Sequence, residues 1–322
     1  MRRLFAGLTT GALLLAATAC GSSDGGSSDA SASSGGTTTV KLGLIPIVDV
    51  APIYLGQKKG FYSKRGLKLS LSTAQGGAAI VPGVASGQFQ FGFSNVTSLL
   101  VAQSTGVPVK AVANGIASTG VQGKDFSALM VKKGSPIKSP KELEGKKVAI
   151  NTLKNINETA VRESVRKAGG DPDKVNFVEL AFDQMPAALD SGQIDAASVV
   201  EPAQATVKSQ GGVVIATPIV DVAEDTTVAL YFTSTRYQQQ NPDVVKKFQE
   251  ATAESLAYAE AHPDEAREII TTYTKIPASV LAQVTLPKWP ADPNRASIEA
   301  LAKLGEQDGL FKKTPDVDAL LP

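Results

Sequence analysis

The sequence predicts an α/β protein of two lobes, on three observations. Strand and helix signals alternate along most of the chain, which is the pattern of sheets with helical crossovers. The same alternation starts twice. A final strand signal and a run of helices then follow the second round.

The first round opens at Val40–Pro46 (VKLGLIP), a short apolar strand. Pro52–Gly60 reads as a helix stopped by Lys58-Lys59-Gly60, and Leu67–Ser72 (LKLSLS) alternates with a strict period of two. Strand, helix and strand make a βαβ unit. Ile80–Ser86 reads as a second helix, Phe89–Phe93 (FQFGF) as a strand, Val96–Ser104 as a helix and Val109–Asn114 as a strand.

The second round runs Val148–Asn151, strand; Glu158–Ala168, helix closed by Gly169-Gly170; Val175–Leu180, strand; Pro186–Ser191, helix; Ala196–Val200, strand. Residue echoes accompany the repeated order. Ser86-Gly87-Gln88-Phe89 matches Ser191-Gly192-Gln193-Ile194 at an offset of 105, each after a helix with a proline near its start, Pro82 and Pro186. Glycine caps are common enough for one such match to arise by chance, but not for the whole order to recur. Thr226–Ser234 (TTVALYFTS) is then a long strand. The helices Val244–Ala261, Pro263–Thr274, Ala278–Val284 and Asn294–Gln307 follow, two of them entered through Asn241-Pro242 and His262-Pro263.

A tail of helices has no sheet of its own, so it is expected to pack back on lobe one. Ala128–Val131 and Val228–Phe232 then become the two crossing strands of a hinge. The expected division is 40–129 with 227–322 for lobe one and 130–226 for lobe two.

The N-terminus has a different character. Arg2 and Arg3 precede the apolar stretch Leu4–Ala16, and Ala17-Thr18-Ala19 supplies small residues before Cys20, the only cysteine. This arrangement resembles a bacterial lipoprotein signal, with Ala17 where leucine is more usual. It implies a leader over 1–19 and lipid attachment at Cys20. Residues 20–39 are almost wholly Gly, Ser, Asp, Ala and Thr, a composition that buries too little apolar surface to fold. As a flexible leash they would reach roughly 25 Å.

Charge narrows the partners. Of 32 basic and 31 acidic residues, removal of 1–19 takes away only Arg2 and Arg3, leaving 30 against 31. With no basic cluster, a nucleic-acid partner is not expected. The body of about 283 residues is long enough for two lobes without disulfides.

Several stretches carry a family likeness in order along the chain. They are Gly60-Phe61-Tyr62-Ser63-Lys64-Arg65-Gly66-Leu67, Gly145–Ile150, Leu189–Ala196, Val200-Glu201-Pro202, Leu286-Pro287-Lys288-Trp289 and Gly309-Leu310-Phe311. Together they resemble the substrate-binding proteins of nitrate, sulfonate, taurine and thiamine-pyrimidine ABC importers. The resemblance implies a type II periplasmic-binding-protein fold whose lobes close on a small solute. It also implies a permease and its ATPase as partners, a monomeric chain, an extracytoplasmic location on the membrane's outer face, and no cofactor or metal.

Physical chemistry places the site independently. Ligands collect where strand carboxyl ends meet helix N-termini, because free backbone N–H groups point there. In lobe one this selects Asp49 and Tyr54, the pair Gly76 and Gly77, and Ser94, Asn95 and Thr97 after the FQFGF strand. Helix capping is the alternative role for Ser94 and Asn95. In lobe two the matching loop offers Asn151, Thr152, Asn155 and Asn157, of which Asn157 could instead cap a helix. Glu201 ends the ASVV strand and could equally be a solvated carboxylate. Among these loops only Lys154 is basic, whereas Asp49 and Glu201, near aromatics such as Tyr54, Phe93, Phe182 and Tyr231, suit a polar, nitrogen-bearing solute. For Phe93 and Tyr231 core packing is the simpler role.

Two other functions share the fold. The eukaryotic thiamine-pyrimidine synthases resemble these binders but depend on histidine and a cysteine-rich motif, whereas this chain has His262 and Cys20 alone. No Ser/His/Asp set, GxGxxG or P-loop occurs, so an enzyme is not expected. A sensor lipoprotein reporting to a membrane receptor would look identical in sequence.

Overall fold

The structure, a computed structural model, describes residues 36–321. The leader, Cys20 and most of the expected leash lie outside the described residues. The chain builds two five-stranded mixed sheets.

Lobe one begins with β1 (Thr38–Leu44), two residues before the strand start expected at Val40. There follow α1 (Ala51–Lys58), β2 (Leu67–Thr73), α2 (Gly77–Ala85), β3 (Phe91–Asn95), α3 (Val96–Ser104) and β4 (Val109–Ala117). The chain then crosses to β5 (Ser127–Val131), β6 (Lys147–Ile150), α4 (Ile156–Lys167), β7 (Asn176–Glu179), α5 (Met185–Asp190), β8 (Ala196–Val200), α6 (Ala203–Ser209), β9 (Val213–Ala216) and α7 (Pro218–Val222). It returns through β10 (Thr227–Ser234) and ends in α8 (Thr235–Gln240), α9 (Pro242–Ala261), α10 (Pro263–Ile269), α11 (Ala278–Leu281), α12 (Arg295–Gln307) and α13 (Val317–Leu320).

The sheet orders are β2-β1-β3-β10-β4 and β7-β6-β8-β5-β9. Each has three parallel strands, then an antiparallel strand, β10 or β5, and an edge strand that pairs with it. The two plans coincide position for position. The internal repeat extends to register: Leu42 pairs with Phe91 in one sheet and Val148 with Ala196 in the other, so β3 and β8 keep the 105-residue offset. The glycines of the echo, Gly87 at φ 81° and Gly192 at φ 74°, each take the left-handed conformation that ends a helix.

The antiparallel strands are exchanged between lobes. β5 is reached from lobe one through 118–126, and β10 from lobe two through 223–226; each strand then lies wholly in one sheet. Ser127, not residue 130, opens the second sheet. The crossings are bound side by side, with the Ser118 N–H donating to the Thr226 carbonyl at 2.9 Å. Inside β5, Ala128 and Met130 face the large core while Leu129 and Val131 face a smaller cluster on the sheet's other side.

Two element boundaries differ for local reasons. The third strand is Phe91–Asn95, because the Phe89 N–H closes back on the Gly83 carbonyl at 3.0 Å and so finishes α2 instead of starting a ladder. Residues 203–222 hold α6, β9 and α7, all too short to show a periodic signal. In the tail, α9 and α10 pack on α1, and α13 on α3 and β4, as expected. However, α11 touches α6 and α12 touches α4, so the tail reaches lobe two as well.

Close packing of α1 on α9 requires Gly56. A Cβ there would lie 1.9 Å from Ser255 Oγ and 2.9 Å from a carbon of Tyr62. Gly56→Ala is therefore expected to destabilise the chain by about 1–3 kcal/mol, read as a lower thermal midpoint. Gly87→Ala meets no neighbour and pays only the cost of its positive φ, so it is expected to cost less.

Candidate functional site

The carboxyl ends of β1, β3, β6 and β8 each run into a helix or a short turn, and the two sets of ends meet between the lobes. Asn95 shows how closely. As N-cap of α3 its Oδ1 accepts from Ser98 N–H at 2.9 Å, and it also accepts from the N–H of Ile156, the first residue of α4, at 3.2 Å. One amide oxygen thus caps a helix in each lobe. Of the two roles posed from sequence, capping is the one this residue carries in the structure.

Beside it, Gln75 and Asn151 exchange hydrogen bonds across the lobes: Gln75 Nε2 donates to Asn151 O at 2.7 Å, and Asn151 Nδ2 to Gln75 O at 3.2 Å. The approach depends on Gly76, whose Cβ would sit 2.8 Å from Asn151 Nδ2 and 2.9 Å from Thr152 Cγ2. Gly77 meets Ser94 in the same way, with a Cβ only 2.7 Å from the Ser94 backbone. The lobes are hydrogen-bonded to each other across the cleft.

The lobe-two loop is an asparagine network. Asn155 caps α4 by accepting from Asn157 N–H at 3.0 Å and Glu158 N–H at 3.2 Å; its Nδ2 donates to Asn151 Oδ1 at 2.6 Å and Thr152 Oγ1 at 3.1 Å. Asn157 Nδ2 also donates to Asn151 Oδ1, at 2.8 Å. Asn155 is thus the cap expected of Asn157. Lys154, with φ 55°, is exposed, so the loop's only basic side chain is not part of the buried network.

Glu201 is fully buried rather than solvated, and its acceptors are occupied. Oε1 accepts from Thr285 N–H at 3.1 Å and Gln204 Nε2 at 3.2 Å, and Oε2 from Ala205 N–H at 2.9 Å. Burial outweighs these donors and pushes its carboxyl up to about 7. Its backbone joins the lobes too, since Glu201 O accepts from Val48 N–H at 3.0 Å. A Gln here would turn an amide donor towards a backbone N–H, a loss of about 1–3 kcal/mol.

Asp49 is 3 % exposed, and its Oδ1 has no hydrogen-bond partner. Burial, with a further push from the Asp125 charge, raises its carboxyl to about 8. Thr97 is likewise buried with an unpartnered hydroxyl. Tyr54 is half-buried and stacks on Tyr273 at 4.0 Å and 10°, and the Tyr273 hydroxyl donates to Ile47 O at 3.1 Å. Phe93 and Tyr231 pack against each other at 5.1 Å on neighbouring strands inside lobe one, as core residues do. Phe182 is buried in the large core.

Gln75, Asp125, Gln204, Tyr273 and Thr285 join the candidate site without having been singled out in the sequence, and Trp289 joins it having stood out only as part of a family-like stretch. Trp289 Nε1 donates to Asp49 O at 3.2 Å. Only Gln75 had a signal, its place beside Gly76-Gly77; the others come from a crossing, a short helix and the tail. His262 lies apart, its Nδ1 2.8 Å from Tyr258 O and its ring stacked on Tyr258. Among the described residues no group of three His, Cys, Asp or Glu is placed to hold a metal ion.

Residues 47–266 match the model of the family described as NMT1/THI5 like. The riboflavin-binding protein RibY of Chloroflexus aurantiacus is 26 % identical over 261 residues, 77 % of this chain and 69 % of its own length. The taurine-binding periplasmic protein of Escherichia coli is 27 % identical over 206 residues, 63 % of this chain and 61 % of that one. Among solved structures, the alkanesulfonate-binding protein SsuA of Xanthomonas axonopodis pv. citri, bound to MOPS, superposes with a TM-score of 0.75. At 16 % identity it covers 89 % of this chain and 99 % of its own, a likeness of fold.

The raised Asp49 carboxyl has a defined consequence for stability. The folded chain keeps a proton that the unfolded chain, with an ordinary value of 3.8, gives up earlier. Stability therefore falls as pH rises from about 4 towards 8, and Glu201 acts in the same direction between about 4.5 and 7. Thermal melts of the solute-free protein are expected to show that decline, and Asp49→Asn, neutral throughout, to flatten it and to melt higher than the parent at pH 8.

Proposed function

Because this chain belongs to the NMT1/THI5 like family, we propose that it is the extracytoplasmic solute-binding component of an ABC importer, capturing a small polar solute by closing its lobes and presenting the closed form to a permease and its ATPase. One observation supports this above the rest: the Asn95 side chain caps helices of both lobes at once, so closure completes a ring of polar groups around the strand ends. Around that ring stand buried polar atoms with no partner, Asp49 Oδ1 and Thr97 Oγ1, which a bound solute would satisfy. The relatives named above support the class, since each is described as a binding protein.

Binding and closure are one equilibrium in such a device. A solute that touches both lobes binds the closed state better and shifts the population towards it by that difference. The exchanged strands give the motion a place, because only 118–126, 223–226 and the tail connect the lobes. Substrate-binding roles for Asp49, Tyr54, Gly76, Gly77, Ser94, Asn95, Thr97, Asn151, Thr152, Asn155, Asn157 and Glu201 are part of this proposal. Within it, Gly76, Gly77 and Asn155 shape the cleft and Glu201 holds the junction.

An enzyme on the same fold has less support, because the one histidine, His262, is spent on Tyr258 in the tail. We further propose that Cys20 is lipidated and tethers the binder beside its permease.

A thermal-shift screen of polar solutes tests the binding reading. The true solute at 100 times its dissociation constant is expected to add about 2.7 kcal/mol of stability. Asn95→Ala, which removes an interlobe cap, is expected to weaken that solute about tenfold, about 1.4 kcal/mol, while the solute-free protein stays folded. Unchanged affinity in Asn95→Ala would place the site elsewhere. For the tether, Cys20→Ser is expected to move the protein from the membrane to the soluble fraction, read by fractionation, with solute binding intact.

A further inference from the structure

The junction beneath the cleft is rich in acceptors and holds no buried cation. Glu201 organises it through its backbone: its N–H donates to Phe126 O at 2.9 Å, and its carbonyl accepts from Val48 N–H at 3.0 Å. Asp125 precedes Phe126 and Asp49 follows Val48, so the same pair of bonds brings both aspartates to one point between the lobes. Both are buried, at 1 % and 3 % exposure, and neither forms an ion pair.

Three polar atoms around this point are buried without a partner: Asp49 Oδ1, Asp125 Oδ2 and Gln204 Oε1. The other Asp125 oxygen accepts from Thr119 N–H at 2.8 Å. The Gln204 amide is oriented by its Nε2, which donates to Asp125 O at 2.9 Å and Glu201 Oε1 at 3.2 Å, so its oxygen is the free atom. Leaving buried acceptors unpaired is costly, and a ligand carrying several N–H donors would relieve it. No lysine or arginine is among the buried residues described, so no basic side chain pairs with the aspartates. An anionic group would find no basic partner here. A single metal ion fits no better, because no group of three acidic or other ligating residues is close enough to share one. Stacked Tyr54 and Tyr273 flank the 47–50 turn and offer aromatic faces to a cation.

We propose that this junction is a recognition subsite for the ammonium or amidinium group of an organic amine, held between Asp49 and Asp125 with Gln204 Oε1 completing its hydrogen bonds. The assignment rests on the solute-binding function proposed above and names the chemistry of the solute. Buried acceptors left unpaired on both sides of the Glu201 peptide describe a site whose missing partner is a donor.

The test uses matched pairs that differ by an amine: putrescine and butane-1,4-diol, taurine and ethanesulfonate, tyramine and 4-ethylphenol. They are measured by thermal shift and calorimetry alongside whatever solute co-purifies with the full chain, identified by mass spectrometry. An amine-bearing solute is expected to stabilise the protein where its amine-free match does not. Asp49→Asn is expected to weaken that solute at least tenfold while the solute-free variant keeps its fold. Binding of a solute without basic nitrogen, or an Asp49→Asn affinity within twofold of the parent, overturns the amine subsite and leaves solute capture standing. If no amine, no matched compound and no co-purified solute binds, both readings fall.

Discussion

The peptide unit and side chain of Glu201 are the constraint on which the arrangement of lobes depends. At the end of β8 this one residue reaches the first crossing through Phe126, the β1–α1 turn of lobe one through Val48, the tail through Thr285 and its own helix through Ala205. Burying a carboxyl is tolerable only where donors surround it, and here three N–H groups from two lobes do so. The donor from Thr285 comes from the tail, and the neighbouring Trp289 ties the tail to Asp49 as well. Tail, crossing and cleft floor are therefore one hydrogen-bonded assembly rather than separate parts.

Strand exchange gives that assembly its mechanical meaning. Each lobe completes its sheet with a strand whose chain has just left the other lobe, β10 in one and β5 in the other. The lobe-one sheet is completed by β10 only after the chain has passed through lobe two, whereas the second sheet lies wholly within Ser127–Ala216; one apolar cluster draws residues from both lobes and couples them in stability. The chain passes between them only at the short crossings, themselves bonded to each other at Ser118 and Thr226. α12 adds a contact of a different kind, because Asp308 at its end pairs with Arg166 of α4. Opening the lobes would trade this ion pair, the Gln75–Asn151 exchange and the second cap on Asn95 for water, all of them polar contacts that water replaces at modest cost. A binder needs such a balance, since an interface of packed leucines would stay shut.

Most of the sheet was legible because its strands are parallel and buried. Runs such as ASVV, and the strict alternation of LKLSLS, declare themselves by composition and period, and the 105-residue echo carried the register of β3 onto β8. The elements that escaped are short, α6, β9 and α7, and owe their form to partners distant in sequence. The same division holds in the site. Asn95, Gly76-Gly77 and the 151–157 loop sit at strand ends, where the chain itself announces a turn into a helix. Asp125, Gln204, Tyr273 and Trp289 come from a crossing, a short helix and the tail, and converge only in three dimensions. Glu201 shows the limit most clearly: its position at a strand end was plain from VVEP, but its burial depends on Thr285, 84 residues away.

The floor of the cleft joins these threads. A solute-binding cleft must be attractive to its ligand and unattractive to itself when empty, and the usual device is to fix polar groups that the chain does not satisfy. In the upper cleft the asparagines satisfy one another, so they are poised to hold geometry more than to hold charge. At the floor Asp49 Oδ1, Asp125 Oδ2 and the Gln204 oxygen are left without donors. The cost of that frustration is borne by the fold, through burial of carboxyls that would rather be solvated. Because Glu201 also binds both lobes and the tail, a ligand that relieves the floor acts on the residues that set lobe position. In the proposed binder, recognition and closure would then be one event.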